Sequence, residues 1–238
     1  MSIASEPDPA TGQPVGQSVN AYPAARPGPV VLEGRFGRIE KLDAARHGEN
    51  LWNAVKDEDT LWTYLGYGPF ADAAAFTAWL AERATLDDPY SYAVVDGGSG
   101  RAIGIATLME IRPSMRVIEV GHILYGPALQ RTPLATEAQY LLARYVFETL
   151  GYRRYEWKCN ALNAPSRRAA ERFGFTFEGI FRQHMIVKGR NRDTAWYSML
   201  DREWPERRRA FEHWLAPENF DAAGRQRANL AAMMGMRG

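Results

Sequence analysis

The sequence predicts a mixed α/β fold, a twisted and largely antiparallel sheet with helices on both faces. Three observations predict it. Tyr90 to Val95 and Ala102 to Ile111 alternate as strands around Asp96-Gly97-Gly98-Ser99-Gly100, a strong hairpin turn. Phe177 to Val187 and Ala195 to Leu200 read as a closing hairpin across the polar run Lys188 to Asp193. Between the hairpins, Val117 to Cys159 reads as strand, helix, strand, which requires one parallel or splayed pairing.

The elements follow in order. Met1 to Gly28 is rich in Pro, Gly, Ala and Ser without periodicity, and reads as an arm that wraps on the domain or a partner, or stays mobile. The second half of Val30 to Leu42 alternates as a first strand. Asp43 caps a helix through Val55, with Leu51 and Val55 on one face. Lys56 to Phe70 is dense in aromatics, and a second helix runs from Ala71 to Arg83 with Phe76, Trp79 and Leu80 inward. Val117 to Leu124 is a strand interrupted at Gly121, the mark of a bulge or a close backbone approach. Thr132 and Pro133 supply a hydroxyl cap and a first-turn proline to a long helix whose apolar stripe includes Ala138, Leu141, Leu142, Tyr145 and Val146. Gly151 ends it. Arg154 to Cys159 alternates as a strand, and a short helix capped by Asn163 or Ser166 stops at Gly174. Asp201 to Leu215 is an amphipathic helix with Trp204, Phe211 and Trp214, and a weaker one is expected around Ala222 to Met234. These elements divide the chain into an arm (1–28), a main domain (29–200) and a C-terminal helical extension (201–238).

Composition narrows the function classes. With 238 residues, 46% of them hydrophobic and 24% charged, the chain can bury a sizeable core. A formal net charge of +1 argues against a dedicated nucleic-acid or membrane-surface binder, each of which needs a concentrated basic face. Cys159 is the sole cysteine, so a reducing cytoplasm is the simpler address. No apolar run approaches the ~20 residues of a membrane span, and the N-terminus lacks the basic and apolar regions of a secretory signal.

The start of the long helix is the first candidate site. First-turn amides have no intrahelical partner and the helix dipole favours anions there, so Leu134, Ala135 and Thr136, with Arg131 alongside, could hold a phosphate. The simpler reading of the same residues is that Thr132 caps the helix and nothing binds.

Glu119-Val-Gly121, Gly151-Tyr-Arg-Arg154, Lys158-Cys159, Asn163-x-x-Ser166, Gly174-Phe175 and Glu178-Gly179, each in its expected element, together resemble the GNAT family of acetyl-CoA-dependent N-acetyltransferases. The likeness covers roughly residues 34 to 200 and is greatest to the RimJ/RimL-like branch, the ribosomal-protein N-terminal acetyltransferases. It implies a GNAT-like sheet splayed at a cofactor wedge. It also implies that acetyl-CoA is the co-substrate, with no metal, and that acetyl moves directly to a primary amine, either a protein N-terminus or a small molecule. Carried over, the backbone of Ile123, Leu124 and Tyr125 would meet the pantetheine arm, and the thioester would lie near Gly121 to Ile123. Asn163 would hydrogen-bond the pantetheine, and Ser166 or a tyrosine near it would protonate the departing thiolate. Asn163 and Ser166 are equally good as a helix cap pair.

One departure stands out. The family places two glycines in its phosphate turn, whereas here the turn is Leu129-Gln130-Arg131-Thr132-Pro133-Leu134-Ala135, with a proline that removes a donor. Gln130, Arg131, Thr132 and Thr136 would have to replace those contacts with side chains. If they fail, the chain is a binding or regulatory protein of the same fold without turnover.

Acetyl transfer needs a neutral amine and therefore a base. Glu119, His122, Glu178 and His184 are the candidates, with Glu119 first because many family members carry a carboxylate there, and His184 second. His184 sits near a position where the RimL-like branch has a glutamate, and the matching residue here is Met185. Strand alternation puts Glu119 and Gly121 on one face and His122 on the other, unless a bulge intervenes. On the acceptor side, the family's pattern implies an aromatic wall that here includes Trp62, Tyr64 and Tyr67, facing Arg182, although each aromatic also reads well as core. The terminal additions, with Trp204 and Trp214, make a homodimer plausible.

Overall fold

The structure, a computed structural model, describes residues 5–235. An eight-stranded sheet runs in the order β3 (Val31–Glu33), β4 (Gly37–Lys41), β5 (Tyr90–Asp96), β6 (Ala102–Arg112), β7 (Val117–Tyr125), β8 (Arg154–Asn160), β10 (Arg190–Leu200), β9 (Thr176–Val187). Every pairing is antiparallel except β7 with β8. That single parallel pair follows from the helical crossover between its strands. The pair is also short. It runs from Val117 opposite Arg154 to Val120 opposite Trp157, after which β7 and β8 part.

Two helical layers cover the sheet. On one face α1 (Ala44–Val55) and α2 (Ala73–Thr85) bury Leu51, Val55, Phe76 and Leu80 against Val95, Ile105 and Leu124. On the other face α3 (Pro133–Arg144), α4 (Ala164–Arg172) and α5 (Trp204–Leu215) close over Ile118, Val120, Tyr155, Trp157 and Tyr197. β7, β8 and β10 therefore show an apolar row to α3 and α4, and a different row to the opposite side.

Local chemistry explains most boundaries. The Asp43 carboxylate accepts the Arg46 amide at 3.0 Å and caps α1. Replacing it with alanine is expected to cost about 1 kcal/mol in a urea titration, a loss that Asp43→Ser should largely restore. Thr132 caps α3 ahead of Pro133, and Asn163 caps α4. The helix after β7 ends differently from the sequence expectation. From Tyr145 to Thr149 it widens into a π-helical turn, closed by the Leu150 amide donating to the Tyr145 carbonyl, before Gly151 at φ +78° turns the chain.

Two further expectations need correction. The closing hairpin turns on Lys188 and Gly189 alone, both at positive φ, the pairing a two-residue type I′ turn demands. Arg190 to Asp193 are thus strand, and polar because they are exposed or half-buried. The weak C-terminal helix is reduced to α6 (Leu230–Met233), since Asn219 and the residues around it form a hydrogen-bonded loop instead. The arm is structured over its described part. β1 (Ser5–Pro7) pairs with β2 (Pro14–Gly16), and Ala24 and Ala25 donate to the carbonyls of Pro113 and Leu150. Residues 1–4 lie outside the described residues.

Candidate active site

Where β7 leaves β8, the backbone of β7 bulges. Ile105 pairs with Leu124 and Thr107 with Gly121, so His122 and Ile123 together oppose Ala106 alone. His122 takes φ +46°, a left-handed conformation uncommon for a residue with a side chain. The bulge reverses the alternation expected there. His122 turns onto the face of Glu119 and Gly121, against the Tyr67 ring at 5.5 Å and in a narrow pocket with Trp79, Arg83, Ser91 and Thr107. Burial first, and then the charges of Arg83 and Arg192, hold His122 down at about 4. It is therefore a neutral imidazole at neutral pH, and a weak base.

Glu119 sits beneath the split. Its side chain is 7% exposed, and its Oε2 accepts from Lys158 Nζ at 2.7 Å. A Cβ placed on Gly121 would come within 3.3 Å of the other oxygen, Oε1, so that oxygen lies over Gly121, where the strands separate. Burial raises the carboxyl to about 7. Lys158 works against that rise, and Glu156 and Glu110 reinforce it. The group is thus half ionised near neutral pH, where a general base for an amine is useful.

Glu119 belongs to a row of charges on this face. Glu156, directly opposite it across the parallel pair, accepts from Arg112 and Arg154, each at 2.7 Å, and lies 2.9 Å from Lys158 Nζ. Arg154 also forks onto Glu178, whose other partner is the Ser198 hydroxyl. The bond from Arg154 lowers Glu178, so this carboxylate is already committed to an ion pair. His184, on β9, bonds through Nδ1 with Thr194 Oγ1 at 3.0 Å. In sheet order β9 lies three strands from β7, and the His184 ring packs 6.0 Å from Trp196. Of the four candidate bases, Glu119 alone is both at the split and buried to a suitable proton affinity.

On the cofactor side, the Asn163 carbonyl oxygen caps α4 by accepting the Ser166 amide, while its side-chain NH2 makes no hydrogen bond among the described residues. Ser166 Oγ accepts from the Trp157 indole at 3.0 Å. Ile123, Leu124 and Tyr125 line the free edge of β7 beyond the split. In the turn before α3, Thr132 has its one hydroxyl proton committed, donating to the Leu129 carbonyl while accepting from the Ala135 amide. Thr136 accepts from Arg172, and Gln130 donates to the Tyr125 carbonyl. Leu134, Ala135 and Thr136 form the first turn of α3. Arg131 stands exposed at φ +61°, with no ion pair among the described residues. Of the side chains expected to replace the missing glycines, Arg131 is the one that makes no hydrogen bond among the described residues.

The aromatic wall divides. Trp62 is only 2% exposed and packs edge-on against Tyr67 and Phe70, so it is core. Tyr67 reaches the His122 pocket, and Tyr64 donates to the Leu162 carbonyl at 3.2 Å, bridging from the segment before α2 to the loop after β8. Arg182 is exposed on β9, beside Asp193. Sequence reasoning missed Glu156, Arg112 and Arg83 altogether, and took Lys158 only as part of a motif. The available signal was Arg154, Glu156 and Lys158 at alternate positions of one strand, which places three charges on a single face.

The sequence profile of the acetyltransferase (GNAT) domain matches residues 38–176. The chain belongs to the GNAT family of acetyltransferases. A Bacillus subtilis protein named "Putative ribosomal N-acetyltransferase YdaF" is 29% identical over 172 residues, 70% of this chain and 90% of that one. That likeness is to the RimJ/RimL-like branch of the GNAT family. A crystal structure of a GCN5-related N-acetyltransferase from Brucella melitensis superposes with a TM-score of 0.89 at 52% identity, covering 91% of this chain and 99% of that one. The GNAT split between β7 and β8, expected from the motifs, is therefore present with its bulge, and the chain is an N-acetyltransferase by family.

Proposed function

We propose that this GNAT enzyme moves the acetyl group of acetyl-CoA to a primary amine by direct attack within a ternary complex, with Glu119 as the base. The observation that carries this reading is the Glu119 carboxylate, buried at the split with Oε1 over Gly121 and a proton affinity near neutrality. Acetyl-CoA supplies an activated thioester. The residues present fit it: an unpaired edge of β7 from Gly121 to Tyr125, the spare amide hydrogens of Asn163, and the first turn of α3 beside Arg131. Glu119 Oε1 accepts a proton from the acceptor ammonium, directly or through water, leaving a neutral nitrogen to attack. As the C–N bond forms and the C–S bond breaks, the second proton of the nitrogen would pass to the departing sulfur, directly or through solvent or a hydroxyl such as that of Ser166, which takes up a proton for each one it gives. Tyr64 and Tyr67 flank the acceptor's approach, which suits an extended peptide N-terminus or a small amine.

Two measurements test the cofactor half of this reading. Calorimetric titration with acetyl-CoA should give saturable binding, and Arg131→Ala should weaken it about tenfold, as the loss of one charge-assisted phosphate contact predicts. Binding unchanged by that substitution would remove Arg131 from the cradle, and no binding at millimolar acetyl-CoA would remove the enzyme reading itself. Screening amines with the loaded protein then identifies the acceptor class.

A further inference from the structure

We propose that Lys158 is the positioning residue of this site, gripping one oxygen of Glu119 so that the other faces the split, and holding the carboxylate ready to take a proton. This rests on the reading of Glu119 as the base. Lys158 Nζ lies 2.7 Å from Glu119 Oε2, 2.9 Å from Glu156 Oε2 and 4.2 Å from the centre of the Trp196 ring. Its side chain is 10% exposed. Two anions and an aromatic face thus fix a normally mobile side chain in one place.

The distribution of partners decides where its charge acts. Glu156 is already satisfied by two guanidiniums, Arg112 and Arg154. Glu119 accepts a hydrogen bond from Lys158 alone among the described residues. Removing Lys158 therefore leaves Glu156 paired and Glu119 bare. Among the described residues, the charged groups that bear most on Glu119 are Lys158 and Glu156 on β8, Glu110 on β6 and Arg192 on β10. Two of these are anions that favour the protonated acid, and of the two cations only Lys158 touches the carboxylate.

Geometry gives the second half of the argument. With Oε2 held by Lys158, Oε1 is the oxygen over Gly121, the position from which an incoming amine is reached. An ammonium arriving there also meets the positive potential of Lys158, which favours loss of its proton to Oε1. One residue thus aims the base and eases deprotonation of the nucleophile.

The test uses full-length protein carrying 13C-carboxyl glutamate, with the Glu119 resonance assigned by its absence in Glu119→Gln. In wild type that resonance should titrate near pH 7. Lys158→Met should move the midpoint up by roughly 1–3 units, the usual effect of losing an adjacent opposite charge. Lys158→Arg should restore most of it. Trp196→Leu, which keeps the charge and removes its floor, should shift the midpoint upward by less, and it serves alone if Lys158→Met does not fold. A midpoint unmoved in the folded variants overturns the proposal. The same proteins, assayed with acetyl-CoA and the amine from the screen, separate this outcome from a failure of the base reading. If Glu119→Gln is as fast as wild type, the base assignment fails whatever the titration shows. If Glu119→Gln is slow while Lys158→Met keeps the wild-type pH profile, Lys158 is only structural and the proposal fails by itself.

Discussion

Replacing Glu119 with glutamine is expected to lower kcat/KM by about 10²- to 10⁴-fold, the range lost when a positioned general base is removed, while acetyl-CoA still binds. Glutamine keeps the volume of the side chain and one oxygen to accept from Lys158. What disappears is the ability of the atom over Gly121 to take a proton. The expected split is therefore a collapse of the rate with little change in cofactor affinity by calorimetry. Variants of the other candidates should differ. His184→Ala removes a bond to Thr194 and a contact with Trp196 and is expected to leave kcat within about threefold, because the imidazole bonds with Thr194 and sits on β9, three strands from β7 in sheet order. Glu178→Gln should act mainly on stability, through Arg154 and Ser198.

Phe211→Ala is expected to destabilise the protein by about 3–5 kcal/mol, the usual cost of emptying a buried aromatic site. Phe211 is 1% exposed and lies on α5, outside the residues matched by the family profile. Its ring centroid is 5.7 Å from Tyr140 on α3, 6.2 Å from Phe173 just after α4 and 6.5 Å from Trp204. The helix therefore plugs the outer side of the two helices that flank the split. A lower urea midpoint with a single transition would make α5 part of the cooperative core. An unchanged midpoint would show that α5 docks without contributing, contrary to the packing seen.

The parts of this fold that were legible in the sequence are those set by local chemistry. Thr132 ahead of Pro133 announces the start of α3, Asp43 announces α1, and Gly174 at φ +88° ends the turn after α4, as its position suggested. The face on which Glu119 lies was legible as well, because alternation along β7 is regular up to Gly121. Alternation then fails for a physical reason. The bulge adds a residue, and a period-two argument carries His122 to the wrong face. The Lys188-Gly189 turn was hidden because exposed strand residues such as Arg190 and Asn191 have the composition of a loop. Trp62 illustrates another limit. Aromatic density in the 56–70 segment reads equally as pocket wall or core, and only packing against Tyr67 and Phe70 separates the two. The charge row escaped because its members come from β6, β7, β8 and β9, and no single segment shows that Glu119, Glu156 and Lys158 meet. The register of the parallel pair brings them together, and register is a long-range property.

The most direct test of Glu119 as the base is the pH dependence of kcat/KM for the acceptor amine at saturating acetyl-CoA, in wild type and in Glu119→Gln. Because the carboxyl must be ionised to accept a proton and burial raises it to about 7, the wild-type rate should fall tenfold per unit below that pH and level above it, until the amine's own titration intervenes. The account predicts that this limb near pH 7 vanishes in Glu119→Gln along with most of the activity. A limb that persists unchanged in the variant would show that another group takes the proton, and would contradict the assignment.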